Sequence, residues 1–166
     1  MPLNLKDRRR EVLGYQVFWE DAEVGTELPP LPKIVDSVTA VKWVGAIGAF
    51  NPLMYEDEFA KSQGMKGPIV HGLLKLAWLV HFVTNWIGDE GTLKEISCEY
   101  RGVDYPRRMK TMNEPEDGET WLCKGRVTDK YADGQDHFVA LEISVENGSG
   151  VVTTPGTAVV VLPSRG

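Results

Sequence analysis

From Gly72 to Ile87 the chain is apolar on almost every side of a helix: Leu73, Leu74, Leu76, Ala77, Trp78, Leu79, Val80, Phe82, Val83 and Trp86. A surface helix keeps a polar face, whereas one that is apolar all round is a buried one. Gly88 is a natural stop for it. Lys75, His81, Thr84 and Asn85 interrupt the run, which is too short and too polar to span a bilayer. The rest of the chain must therefore wrap this helix. A length of 166 residues, 42% of them hydrophobic, suffices for one sizeable core and one domain.

The wrapping material lies downstream. Leu93 to Gly102, Thr120 to Lys130, His137 to Val145 and Val151 to Leu162 are rich in β-forming residues with partial alternation. Asp117-Gly118, Asp133-Gly134 and Asn147-Gly148 supply turns between them. Upstream, Tyr15 to Trp19 reads as a short strand or extended segment, and the prolines at 29, 30 and 32 enforce non-helical backbone. Ile34 to Val38 is expected to carry a strand into a helix capped by Ser37 or Thr39, which ends at Asn51-Pro52. Asp57 to Gln63 reads as a short helix with Asp57 as its N-cap. An antiparallel sheet wrapped around one long central helix is the hot-dog arrangement, an α+β fold. Residues 1–14 are expected to form a loose arm and residues 15–166 a single domain. Exposed sheet edges predict at least a dimer.

Charge narrows the partners. A net charge of −6 argues against a nucleic-acid binder, because phosphate contacts need excess Lys and Arg. The basic run Lys6, Arg8, Arg9, Arg10 reads as a solvated terminus, not as a membrane anchor. Cys98 and Cys123 have no metal-ligand spacing, so no metal is expected; on paired strands they could be neighbours, but in a reducing cytosol they stay free. Met1 to Arg10 has no apolar core of a signal peptide, and a cytoplasmic location is the expectation.

The segment that carries chemistry runs from Gly48 to Gly72, GAFNPLMYEDEFAKSQGMKGPIVHG. It resembles the MaoC-like, (R)-specific enoyl-CoA hydratase and dehydratase family, whose pattern reads roughly GDxNPxHxDxxxA, then a Gly-rich loop, then HG. Gly48, Asn51, Pro52, Asp57 and Ala60 fall on the first part, and Gly67, His71 and Gly72 on the second. The lead-in Trp19 to Gly25 and the Tyr100-Arg101-Gly102 run extend the likeness over most of the chain from about residue 15. The resemblance implies a coenzyme A thioester as substrate or ligand and no separate cofactor. In the family an Asp and a His activate water for addition to an enoyl thioester, and backbone N–H groups at the start of the central helix polarise the carbonyl. Here the Asp position is Ala49 and the His position is Met54. A methyl group accepts no proton and a thioether is a weak acceptor. Losing both should cost thousands-fold or more, judging from ~10²–10⁴ per group. Asn51, His71 and Gly72 remain as substrate-binding candidates.

Several residues carry two readings. Asn51-Pro52 is a catalytic-loop element or an ordinary turn. His71 is a rescuing base or the residue that positions the helix start. His81 reads as a hydrogen-bonded core residue sooner than a ligand. Tyr55, Glu56, Asp57 and Glu58 include a possible displaced base. Met54 and Met65 line an acyl tunnel or pack. The long segment Pro106 to Gly118 offers Arg107, Arg108 and Lys110 to the phosphates of coenzyme A, or is a solvated loop. Three functions follow: a catalytically degenerate acyl-CoA-binding subunit paired with an active hot-dog hydratase; an active hydratase with relocated acid–base groups, or an inactivated variant of one; or a homodimeric acyl-CoA binder or sensor.

Overall fold

The computed structural model describes residues 16–166, so the expected arm at 1–14 and the first residue of the domain lie outside the described residues. Three helices and five strands follow one another: β1 (Leu31–Lys33), α1 (Ser37–Ile47), α2 (Asp57–Ser62), α3 (Gly72–Ile87), β2 (Thr92–Cys98), β3 (Trp121–Asp133), β4 (Asp136–Glu146) and β5 (Val152–Val161). Short 3₁₀ turns lie at Trp19–Asp21 and Pro52–Met54. All strand pairs are antiparallel, in the order β1-β3-β4-β5-β2. The sheet curls around α3, giving the expected α+β hot-dog fold.

The long strands form because β-branched residues alternate and tight turns return the chain. Asp133 pairs with Asp136 across the turn at Gly134, and Asn147 closes the next one by accepting the Ser149 and Val151 N–H groups. Along β3, Trp121, Cys123 and Val127 face the core; along β4, Val139, Leu141, Ile143 and Val145 do. Helix α3 presents Leu74, Trp78, Leu79, Phe82, Val83 and Ile87 to this surface. The Trp78 and Trp121 rings meet at 5.7 Å. Burial of each such side chain contributes about 1.5–3 kcal/mol.

Several local expectations are corrected. Helix α3 is not covered on every side, since Leu73 is 47% exposed and His81 is exposed. His81 is therefore not a core residue; its ring nitrogens meet Lys33 Nζ at 2.5 Å and Asn85 Nδ2 at 3.0 Å. The upstream strand is Leu31–Lys33, and α1 is capped by Asp36, whose carboxylate accepts the Thr39 N–H at 2.7 Å. Neither Ser37 nor Thr39 takes that role, because Asp36 sits one residue earlier in extended backbone. Glu56, not Asp57, is the N-cap of α2. Of the two readings of the Tyr15–Trp19 run, the strand is absent from Gln16 to Phe18, and Phe18 has extended backbone. Cys98 and Cys123 are free, on strands separated by β4 and β5.

Register breaks bend the sheet at Leu93/Glu95, Val127/Asp129 and Val145/Glu146. A bulge sets two residues against one. At the last break Thr153 and Thr154 are both buried, which brings the Thr153 hydroxyl to Asp104. No helix among the described residues is long and apolar enough to cross a membrane.

Candidate functional site

The loop after α1 is closed by its own backbone. Gly48 ends the helix at φ 68°, a left-handed conformation that L side chains adopt with strain. Ala49 N–H donates to Val44 O at 3.1 Å and Asn51 N–H to Ala49 O at 2.8 Å. Asn51 then caps the Pro52–Met54 turn, its side-chain oxygen accepting the Leu53 N–H at 3.0 Å. Pro52 fits the first position of that turn, where no N–H is needed. Ala49 and Met54 stand half-buried at the two ends of this segment. Nothing that closes the turn depends on their side chains.

A second loop reaches the helix from the other direction. Ile69 N–H donates to Leu53 O at 3.3 Å, tying the two loops together, and Val70 N–H donates to Asp104 O at 2.8 Å. His71 is the N-cap of α3, with Nδ1 accepting the Leu73 N–H at 3.1 Å. Burial pulls its pKa below the ordinary histidine value, so it stays neutral and suits this acceptor role. The Tyr100 ring lies against Gly72: a Cβ there would stand 3.0 Å from the ring carbons. Burial and then the Cys98 thiol push the Tyr100 phenol up to about 12.

The start of α3 is anchored by a buried polar network. Lys75 Nζ contacts Asp104 Oδ2 at 2.8 Å and donates to Gly102 O at 2.9 Å. Asp104 also accepts from Trp121 Nε1 at 2.9 Å and Thr153 Oγ1 at 2.8 Å. Both charged side chains are 2% exposed or less. Sequence reading treated Lys75 only as a polar interruption. Its signal was a lone cation in an apolar helix, which requires a buried partner.

The other candidates separate. Asp57 is held by Lys61 and by Arg108 at 3.3 Å, and the Lys61 bond is the main reason its pKa lies below the carboxylate range; a carboxylate so paired is a weak base. Glu56 and Glu58 are exposed. Arg107 is committed to structure: Nε donates to Glu119 O at 3.1 Å, and Nη2 to Gly118 O at 2.8 Å and Thr120 Oγ1 at 3.2 Å. Its backbone pairs with Val35 and Ser37 beside the start of α1. Lys110 belongs to a small hairpin, its N–H on Glu114 O at 2.8 Å. Of the three proposed phosphate ligands, Arg108 lines a cavity together with Lys66, which sequence reading missed. Among the described residues no group of His, Cys, Asp and Glu side chains is placed to hold a metal.

A sheet curled around a helix, with an Asn-Pro loop and a His-Gly helix start brought together, defines a hot-dog domain of the hydratase and dehydratase class. Residues 23–121 match the family described as MaoC like domain, and the chain belongs to that family. It is similar to the solved (R)-hydratase from A. caviae involved in PHA biosynthesis, with 21% identity, TM-score 0.72, and coverage of 87% of this chain and 99% of that one. It is also similar to a chain of the ChsH1-ChsH2 complex from Mycobacterium tuberculosis, with 22% identity, TM-score 0.69, and coverage of 84% and 98%. A MaoC-like dehydratase from Rhodospirillum rubrum shows 16% identity, TM-score 0.74, and coverage of 90% and 99%. No curated protein matches the chain.

Proposed function

We propose that this chain is an acyl-CoA-binding hot-dog subunit that has lost hydration chemistry and pairs with a catalytically complete partner. The observation that carries the reading is the turn from Gly48 to Tyr55. Its helix stop, Asn51 cap and Pro52 remain, while Ala49 and Met54 occupy the acid–base positions implied by family resemblance. His71 and Gly72 still open the helix whose N–H groups would polarise a thioester carbonyl. Relocated catalysis has less support, since Asp57 is ion-paired and His71 caps its helix. Pairing is supported by exposed apolar side chains at Val41, Phe50, Phe59 and Leu73, and by β2 at the outer edge of the sheet. The likeness to a chain from a two-component complex supports a heteromer. Two free thiols suit a reducing, cytoplasmic location.

The test is direct. The purified chain, given crotonyl-CoA or a longer enoyl-CoA, should show no hydration above a buffer blank when loss of the enoyl thioester absorbance is followed. Turnover near about one per second, within the usual enzyme range, would overturn the reading.

A further inference from the structure

We infer that Lys33 is an N-acylation site: its amine, set against the His81 imidazole, takes an acyl group from a thioester with His81 as the base. The choice of a thioester as donor rests on the acyl-thioester reading above; the amine–imidazole pair does not. The pair lies apart from the Gly48–Gly72 loops. His81 follows His71 by ten residues on α3, roughly 15 Å along the helix axis.

Lys33 is engaged differently from the paired lysines. Lys61, Lys75 and Lys124 each face a carboxylate. Lys33 Nζ instead stands 2.5 Å from His81 Nδ1 and has no ion pair among the described residues. Lysine and histidine both become cations on protonation, and like charges in contact repel, so at least one of the two is neutral in this arrangement. The Asn85 amide stands 3.0 Å from His81 Nε2 and satisfies either tautomer of the ring. With Nδ2 donating to Nε2, the ring proton sits on Nδ1 and Lys33 is its neutral acceptor. With the amide turned over, Nε2–H donates to the amide oxygen and Nδ1 accepts an N–H from Lys33. The second state is the reactive one: the lone pair of the neutral amine is free for a carbonyl carbon while an N–H already points at the base.

The surroundings favour the neutral amine. Lys33 is half-buried, and burial holds its amine below the ordinary lysine value. Cys123, close enough to feel its charge, is buried; burial pushes that thiol up to about 12, so it brings no negative charge to hold an ammonium. Backbone pairing fixes the position. Strand β1 lies at the edge of the sheet, Lys33 pairs with Trp121 of β3, and Val35 O accepts the Arg107 N–H at 2.9 Å. His81 is exposed, which opens the pair to a donor from solvent. Desolvation and an adjacent base are two of the ways a lysine amine is made nucleophilic.

The step balances. Lys33 Nζ attacks the thioester carbonyl carbon and forms the C–N bond, and His81 Nδ1 takes the proton that the nitrogen sheds. The C–S bond then breaks, and the departing thiolate carries that proton away as the free thiol. The product is an uncharged amide on Lys33, with nothing oxidised or reduced.

The experiment exposes the full chain to acetyl-CoA and, separately, to p-nitrophenyl acetate. Acetyl occupancy at each lysine is followed by mass spectrometry of proteolytic peptides, with the exposed Lys42 and Lys94 as references in the same sample. Lys33 should acetylate roughly tenfold faster than either reference with both donors, a gain below the ~10²–10⁴ of an evolved general base. In His81→Gln, which keeps a polar side chain but accepts no proton, that advantage should be lost while the references react as before. Circular dichroism melts confirm folding of the variant, and the preference within the unaltered chain needs no variant at all. If Lys33 reacts no faster than Lys42 and Lys94 with p-nitrophenyl acetate, the inference is overturned. It is overturned equally if His81→Gln keeps the advantage. If p-nitrophenyl acetate labels Lys33 through His81 and acetyl-CoA does not, the amine–imidazole pair stands and the thioester donor is wrong. Calorimetric titration of the unaltered chain with coenzyme A separates the two readings: binding without acylation leaves the acyl-thioester reading standing, and selective labelling without binding removes that reading while the pair stands.

Discussion

Replacing Asp104 by alanine should be among the most damaging single changes in this chain. The carboxylate receives three hydrogen bonds, from Lys75, Trp121 and Thr153, at 2.8, 2.9 and 2.8 Å. Its deletion strands an ammonium that keeps, among the described residues, only Gly102 O as acceptor, in a site where its side chain is 2% exposed. It also orphans the buried Trp121 indole N–H. Breaking a buried ion pair by removing one partner costs about 3–5 kcal/mol. Each orphaned donor costs ~1–3 kcal/mol, a penalty that overlaps the first rather than adding to it. A loss of that size is a large share of the ~5–15 kcal/mol that holds a domain together. At about 2–4 °C per kcal/mol for a domain of this size, the melting temperature should fall by roughly 6–20 °C.

Chemical denaturation of the purified chain measures the loss, and a double-mutant cycle separates pairing from packing. Lys75→Met leaves Asp104 two donors and should cost less than Asp104→Ala. Lys75→Met/Asp104→Asn removes both charges, keeps an acceptor for the Trp121 indole, and lets the Thr153 hydroxyl rotate to accept. It should therefore be less unstable than the sum of Lys75→Met and Asp104→Asn, by roughly 0.5–3 kcal/mol. Stability of Asp104→Ala within about 1 kcal/mol of the unaltered chain would refute the reasoning. So would additive losses in the cycle.

Three further outcomes are expected. Restoring Ala49→Asp and Met54→His together should give measurable hydration of crotonyl-CoA, and either alone almost none, because an acid–base pair acts as one unit; a folded, acyl-CoA-binding double variant at the blank rate would show that more than the pair was lost. The isolated chain should sediment as a dimer or larger at micromolar concentration, and a stable monomer would count against the pairing surface. Burial holds His71 below the ordinary value of 6.5, so its contribution to stability is complete above that value and is lost as pH falls through its folded pKa. Asn at 71 keeps a cap without titrating, so the denaturation midpoint of the unaltered chain relative to His71→Asn should stay level above neutrality and decline toward acid; a constant difference down to pH ~5 would exclude the cap as the titrating contact.

Much of the architecture was legible because its signals are local. An apolar run of helical length announced α3, and β-formers between Asp133-Gly134 and Asn147-Gly148 announced the last three strands. What was not legible depends on partners far apart in the chain. Lys75 and Asp104 are separated by 29 positions and meet only because α3 packs under the Gly102–Asp104 segment. Arg107 and Arg108 are neighbours in one basic run, yet backbone pairing beside α1 turns the first onto the carbonyls of 118 and 119 and leaves the second at a cavity. Periodicity also cannot tell a helix face awaiting a partner from one already covered. Leu73 and His81 were read as interior for that reason.

On the proposed reading, the Gly48–Tyr55 turn is where chemistry is lost while shape is kept. In this turn the conformation is set by a left-handed glycine, a proline and an asparagine cap, each satisfying the backbone. The side chains at Ala49 and Met54 contribute no hydrogen bond to the turn; only their backbone does. Substituting them should cost little stability, whereas substituting Gly48, Asn51 or Pro52 should disturb the fold. Constraint on the two sets of residues is therefore separable. If a partner supplies the proton-moving groups, as proposed, what this chain contributes is the turn, the capped helix start and the buried Lys75–Asp104 anchor, which fix the two loops against α3.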